Sequence, residues 1–254
     1  MEGRTVLTHS HAQAPLQVMR PFYPYGRETC HLQVLHNAGG MVAGDRLDQA
    51  IELSPGARAV LSTASAGKVY RSMGDWATQE VCVRLEGASH LTWAPRETIV
   101  FEGARIRQAF KVEIDPFATF LGWEVVRFGR SARGERYTQG YWRSDWEIRQ
   151  SGKPLFLDRQ GFEASERVWS SPLALAGVPV IGTLVAVGQR WASLDLDALR
   201  ASLPESVAGL DVGLSRLPGG LVARVRGPDT EPAFTWLQGL RDALSSVAPA
   251  TLVC

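Results

Sequence analysis

The amino-acid sequence predicts a mainly β protein. Its body is a stacked, multi-strand, two-layer β-helix-like arrangement, and a small C-terminal α+β part holds two helices. Three observations carry this. A strand–turn–strand pattern recurs at about thirty residues, the mark of stacked units. Turn signals arrive every ~8 to 12 residues through about residue 170, as in all-β chains. After residue 175 an apolar stripe with helical spacing appears. The body is expected over 1–175 and the α+β part over 176–254, packed together as one unit.

In chain order, residues 1–30 carry Pro15, Pro21 and Pro24 and read as an extended or turn-rich entry, with Val18 and Phe22 as anchors. Thr29 to Leu35 alternates as a strand, with Cys30, Leu32 and Val34 on one face and His31 and Gln33 on the other. Leu35 to Asp45 is a loop broken by Gly39, Gly40 and Gly44 and ended by a carboxylate. It lacks the lysine and helix start of a phosphate cradle, so it reads as a β–β connection that holds Asp45 in place.

Three copies of the pattern follow, Ile51–Ser62, Val83–Trp93 and Val112–Trp123. Each is a short strand, a turn rich in Pro, Gly or an acid, an alanine (Ala57, Ala88, Ala118), and a second strand; Trp93 and Trp123 share the spacing. Such units bury their apolar faces only by stacking. Tyr137 to Asp158 reads as a hairpin turning at Ser151-Gly152, and Val180 to Val187 as a buried strand. Residues 193–202 form a short helix capped by Ser193 or Asp195, with Leu199 and Leu203 on one face. Val212–Leu217 and Leu221–Val225 make a hairpin. A closing helix starts at Thr230–Pro232, carries Leu237, Leu240, Leu244 and Val247, and ends at Pro249.

Apolar content of 45% and charged content of 21% are those of a globular chain. Net charge is +1, from 27 basic and 26 acidic residues, which argues against a nucleic-acid binder or an electrostatic membrane anchor. No apolar run reaches the ~18 residues of a spanning helix, and the start lacks a signal-peptide core. Cys30, Cys82 and Cys254 are a poor disulfide framework, which fits a reducing cytoplasm. The common metal-hydrolase, P-loop and nucleophile-elbow motifs are absent. His9 and His11 read as exposed polar residues, and His90 as a packed or rim residue.

The carboxylates are more informative. Asp45, Glu97, Glu102, Glu124 and Asp158 stand beside apolar strands or turns rather than in charge runs. Glu124 follows Trp123 in an apolar stretch and needs a partner such as Arg127, Arg130 or Arg159, or a shifted pKa. Two readings stay open: structural ion pairs, or a polar path for a hard metal through the β stack. His36 flanks the glycine loop, and Lys68, Tyr70 and Arg71 form either an anion or interaction surface or a solvated edge.

Several stretches in register resemble one family. They are Pro21-Phe22-Tyr23-Pro24, Glu28-Thr29-Cys30-His31, Leu35-His36, Gly39-Gly40 through Gly44-Asp45, Lys68 to Ser72, Leu91 to Ala104, and Gly129-Arg130 with Gly134-Glu135. Together they are similar to UreD (UreH), the urease accessory protein, from about residue 4 to about residue 245. Ala43 stands where the motif usually has glycine, and Glu124 where it has aspartate. Against the family pattern the two ends are expected to be either divergent or shortened. The resemblance implies a β-rich, non-enzymatic maturation scaffold. It implies binding to apo-urease and to a UreF-like partner that holds a UreG-like GTPase, with pairing through a UreF dimer. It further implies nickel delivery along an internal path, with no tightly bound cofactor and only transient nickel. The acidic positions of that path correspond to Glu28, Asp45, Glu124 and Asp158; His36, Lys68, Tyr70, Arg71, Glu97 and Arg130 are partner-contact or structural positions. The competing expectation is a β-solenoid carbohydrate-active enzyme with a carboxylate pair and tryptophans as sugar platforms in an open cleft. A plain protein-binding module is the third.

Overall fold

The computed structural model describes residues 3–203 and 209–246. Fifteen strands run in the order β1 (Leu16–Val18), β2 (Thr29–His36), β3 (Arg46–Leu53), β4 (Arg58–Thr63), β5 (Gly67–Val69), β6 (Ala77–Leu85), β7 (His90–Ala94) and β8 (Thr98–Val100), then β9 (Arg105–Ile114), β10 (Thr119–Phe128), β11 (Tyr141–Gln150), β12 (Lys153–Glu163), β13 (Val180–Val187), β14 (Asp211–Leu217) and β15 (Gly220–Gly227). Helices α1 (Glu166–Ser170), α2 (Leu196–Ser202) and α3 (Thr230–Ser246), with 3-10 turns at Ser131–Arg133 and Gln189–Trp191, complete the described elements. No described helix is long and apolar enough to cross a membrane.

Two sheets face each other. The first runs β1-β2-β4-β7-β10-β13-β15-β14, with β5 and β8 joined at its side, and the second β12-β11-β9-β6-β3. The thirty-residue pattern is the coil of this body. Each copy sends one strand to the second sheet (β3, β6, β9) and the next to the first (β4, β7, β10), and successive copies pair in parallel. Rows of like residues result: Leu53, Leu85 and Ile114 stack in one, and Ile51, Val83, Val112 and Ile148 in another. A lone hairpin would leave these faces wet; stacking buries Leu85 to 1% and Ile114 to 0% exposure.

The turns stack as well. The N–H of His90 donates to the carbonyl of Ala57 at 2.8 Å, and that of Thr119 to Ser89 at 3.0 Å. Position by position, therefore, Ala57 matches Ser89 and Ala118. Ala88, expected to carry the repeat, lies one residue off and is exposed. The tryptophans need the same correction. Trp93 pairs with Gly122, not Trp123, so Trp93 and Trp123 point to opposite sides of the sheet. Trp93 joins the core between the sheets, and Trp123 the core beneath the helices. Gly122 makes room for its neighbours: a Cβ there would sit 2.4 Å from the Phe120 ring and 3.2 Å from Trp93 Cβ.

The last third extends the first sheet rather than forming a separate one. β10 pairs β13 from Phe120↔Val187 to Arg127↔Val180, and β15 continues outward. On the outer face α3 buries Phe234, Leu237, Leu240 and Leu244 against Trp123, Leu184 and Ala223. α2 is capped by Asp195, whose carboxylate accepts from the N–H groups of Asp197 and Ala198. Val247 and Pro249, expected to finish the closing helix, lie outside the described residues, as does Cys254. α1 has no counterpart in the sequence reading; at five residues it is too short for an apolar period to show. In the entry segment Val18 packs on the core as expected, but Phe22 is 42% exposed and covers His31. Tyr23 takes the anchoring role, donating to the carbonyl of Thr5 at 2.9 Å.

Candidate functional site

Between the sheets lies a cavity of about 160 Å³ with a mixed polar and apolar wall. At the ~10–15 Å³ a water requires, it has room for on the order of ten waters. Its mouth is beside the glycine loop, where the exposed lining residues Gly39, Ser65, Gly67, Lys68 and Arg96 gather. The loop closes onto β5. The Met41 N–H donates to the Lys68 carbonyl at 2.7 Å, and the Tyr70 N–H donates back to Met41 at 2.9 Å. Gly40 permits this approach, since a Cβ would lie 2.6 Å from the Tyr70 ring and 2.9 Å from the Lys68 carbonyl.

The inner end is built by one row of the second sheet. Leu47, Gln79, Gln108, Ser144 and Gln160 are consecutive partners across β3, β6, β9, β11 and β12. Gln108 Nε2 donates to Gln79 Oε1 at 3.1 Å, while Gln108 Oε1 is buried without a hydrogen-bond partner. Facing this row from β10 is Glu124. The Ser144 hydroxyl stands 2.8 Å from each of its carboxylate oxygens. The Trp146 indole N–H also faces it but closes no hydrogen bond. Burial pushes the Glu124 pKa up from 4.5 to about 7, with Asp158 adding to the rise and Ser144, Trp146 and Arg224 opposing it. Near neutral pH this carboxyl can therefore hold or release a proton inside the protein.

The acidic positions named from sequence are not brought together as a set. Glu124 lines the cavity. Asp158 lies behind it, accepting from Arg224 at 2.8 Å and from Gln160 at 2.8 Å. Asp45 does not line the cavity; its Oδ2 accepts the Val42 N–H at 2.8 Å and so fixes the loop's own turn. Glu28 is exposed near the N-terminal segment, its side chain beside Gly3 and its carbonyl accepting from Thr5. His36 and Lys68 line the mouth, and His36 Nε2 is buried without a partner. Tyr70 donates to Gly39 at 3.3 Å and packs edge-on against Phe101, while the Arg71 stem lies over Gly103. Glu97 is largely buried, 3.6 Å from Arg96. Arg130 clasps Glu135 and lies 4.5 Å above the Phe101 ring. His90 is spoken for by Thr119 and Thr92, at 2.7 and 3.1 Å.

Sequence reasoning missed Gln79, Gln108, Ser144, Gln160, Thr183 and Arg224. A signal for the first three existed. Gln79 precedes Leu85 by the same interval as Gln108 precedes Ile114, and Ser144 precedes Gln150 likewise, so extending the repeat backwards finds the polar row. Among the described residues no three His, Cys, Asp or Glu side chains converge as a metal cluster. The open aromatic cleft expected of a glycan enzyme is not where the tryptophans are. Of the 8 tryptophans, all but Trp76 are buried in the cores, so they cannot serve as sugar platforms.

The family model described as UreD urease accessory protein matches residues 1–252. The urease accessory protein UreD of Acaryochloris marina is 47% identical over 233 residues, covering 92% of this chain and 82% of that protein. The protein of the same name from Trichormus variabilis is 45% identical over 232 residues, covering 91% and 82%. That of Picosynechococcus sp. is 38% identical over 254 residues, covering 99% and 89%.

Proposed function

The chain belongs to the UreD family of urease accessory proteins, and from that premise we propose that it is a non-enzymatic maturation scaffold of the cytoplasm. In this reading it binds apo-urease and a UreF-like partner, through which a UreG-like GTPase joins. It guides nickel toward the urease active site through its polar interior, binding the ion transiently and holding no resident cofactor.

The observation that supports the reading is the polar row of Gln79, Gln108 and Ser144 facing Glu124 at the inner end of the cavity between the sheets. Buried polar groups are costly in a core and are kept for a use or for specificity. Amide and hydroxyl oxygens with one carboxylate hold a divalent cation weakly through its water shell, which suits the passage of nickel rather than a resident nickel site, for which imidazole is the better donor. A carboxyl with its pKa near 7 can exchange a proton for such a cation at neutral pH.

The test is nickel-dependent activation of apo-urease by the reconstituted accessory proteins. Glu124→Ala and Asp158→Ala are expected to slow activation several-fold while the variants still capture urease and a UreF-like protein in a pull-down. Full activation by the double variant removes the path and leaves the scaffold. Capture of neither partner by the wild-type chain removes the scaffold.

A further inference from the structure

The cavity stops at Glu124, and beyond it lies a closed seam. β12 is the last strand of the second sheet, whereas the first sheet runs on through β13 and β15 to β14. Four side chains bridge the difference. Thr183 and Arg224 share Glu124's row on the first sheet. Gln160 ends the Ser144 row on the second, and Asp158 is two residues away on the same face. Arg224 Nη2 donates to Asp158 Oδ2 at 2.8 Å and Nη1 to Thr183 Oγ1 at 2.8 Å. Gln160 Nε2 donates to Asp158 Oδ2 at 2.8 Å and to Thr183 Oγ1 at 3.2 Å.

These four are not equally placed. Thr183 is 3% exposed, the Asp158 side chain 17%, and the Arg224 side chain 41%. Of these three the arginine is the outermost. Its grip is also incomplete, because one nitrogen meets one oxygen of Asp158 where a guanidinium can hold a carboxylate by two parallel hydrogen bonds. A free carboxylate offers it a better geometry than the one it has.

We propose that Arg224 is a displaceable plug, and that an acidic side chain of a docking protein opens the interior by drawing the guanidinium off Asp158. In place, the plug neutralises Asp158 and sets a positive charge against any cation arriving at Glu124. Withdrawn, it removes two of the seam's four hydrogen bonds and leaves Gln160 alone between Asp158 and Thr183; once that amide follows Asp158 aside, the cavity becomes a through-path with a second mouth flanked by Glu124 and Asp158. The proposal rests on the reading that a cation crosses this interior. A plain structural clip, the competing role, would loosen the seam on removal without opening it.

Arg224→Met keeps the apolar stem and removes the charge. Its crystal structure, beside that of the wild type, is expected to show a continuous gap from Glu124 to the surface with ordered water where the guanidinium lay. A seam that stays shut, with Gln160 still bridging Asp158 and Thr183 and no water where the guanidinium lay, overturns the plug whatever the cargo. In urease activation at limiting nickel, R224M, checked for folding by thermal unfolding, is expected to raise the initial rate at least threefold. An open R224M that activates no faster also overturns it. The nickel reading then stands or falls separately on Glu124→Ala. Should R224M not fold, Arg224→Lys keeps the charge but loses the fork that reaches both Asp158 and Thr183. It is expected to raise the rate by a smaller factor, and an unchanged or lower rate overturns the plug.

Discussion

Ser144 and Glu124, from opposite sheets, are joined by a hydroxyl that stands 2.8 Å from both oxygens of a carboxylate on the cavity wall. The pair is the point where the two layers exchange polar for apolar packing. Its electrostatics make a pH-dependent statement about stability. Glu124 has a folded-state pKa of about 7 against an ordinary 4.5, raised chiefly by burial, with Asp158 and Arg224 facing it from β12 and β15. Between those values the folded chain holds a proton that the unfolded chain has released. Its contribution is therefore intact below about pH 4.5, falls as pH rises toward about 7, and then levels; the ceiling is about 3 kcal/mol. Glu124→Gln cannot titrate and is expected to flatten this fall. Urea midpoints of both proteins at about pH 5 and about pH 8 check it, and equal shifts in the two would refute the assignment.

Asp45 separates a turn-former from a cation ligand. If its task is to accept the Val42 N–H, Asp45→Asn retains an acceptor oxygen and is expected to activate urease like the wild type. Asp45→Ala is expected to lose the turn contact, about 0.5–1.5 kcal/mol, with weaker activation. A loss of activation by Asn equal to that by Ala would place the charge itself in the pathway.

Gly122 is the space that lets Trp93 and Phe120 share one layer. Gly122→Ala puts a methyl carbon 2.4 Å from the Phe120 ring. Overpacking of this kind is expected to destabilise by about 1–3 kcal/mol, read as a lower denaturant midpoint with an unchanged slope. Gly39→Ala meets no neighbour within 4 Å, so any effect there comes from its positive φ of 78° and not from crowding.

The helical layer is tested at Leu237, fully buried on the inner face of α3. Leu237→Ala is expected to cost about 2–5 kcal/mol. The loss should appear as one cooperative transition, because β13 and β15 belong to the sheet that carries the body. A separate early transition for α3 would show the two parts to be independent.

Much of the coil was legible because its spacing is regular and its turns carry Pro, Gly or acids. What misled was identity in place of position. Alanine at 88 and tryptophan at 123 look like repeats of 57 and 93, yet hydrogen bonds between turns put Ser89 and Gly122 there instead. A period-2 element turns a one-residue slip into a change of face, so two tryptophans that share the repeat's spacing belong to two different layers. Glu124 was legible from its apolar surroundings. Asp158's partner was not: Arg224 is 66 residues away, and only the order β10-β13-β15 brings it near. The glutamines were passed over because amides on strands look like solvent-facing residues until two copies are laid over each other.

The free side of β3 has a consequence beyond this molecule. Its odd-numbered residues bond to β6, as the Asp45 and Leu53 carbonyls do with Thr78 and Glu86, so the backbone groups of Arg46, Asp48, Ala50 and Glu52 face outward. Among the described residues no strand pairs that side. A coil that grows by parallel addition ends there in a template with the spacing of its own next turn. Arg46, Asp48 and Glu52 crowd that template with charge, which keeps chains from adding end to end as a fibre. Replacing these three charges by threonine or valine is expected to bare the template and to promote edge-to-edge addition of chains.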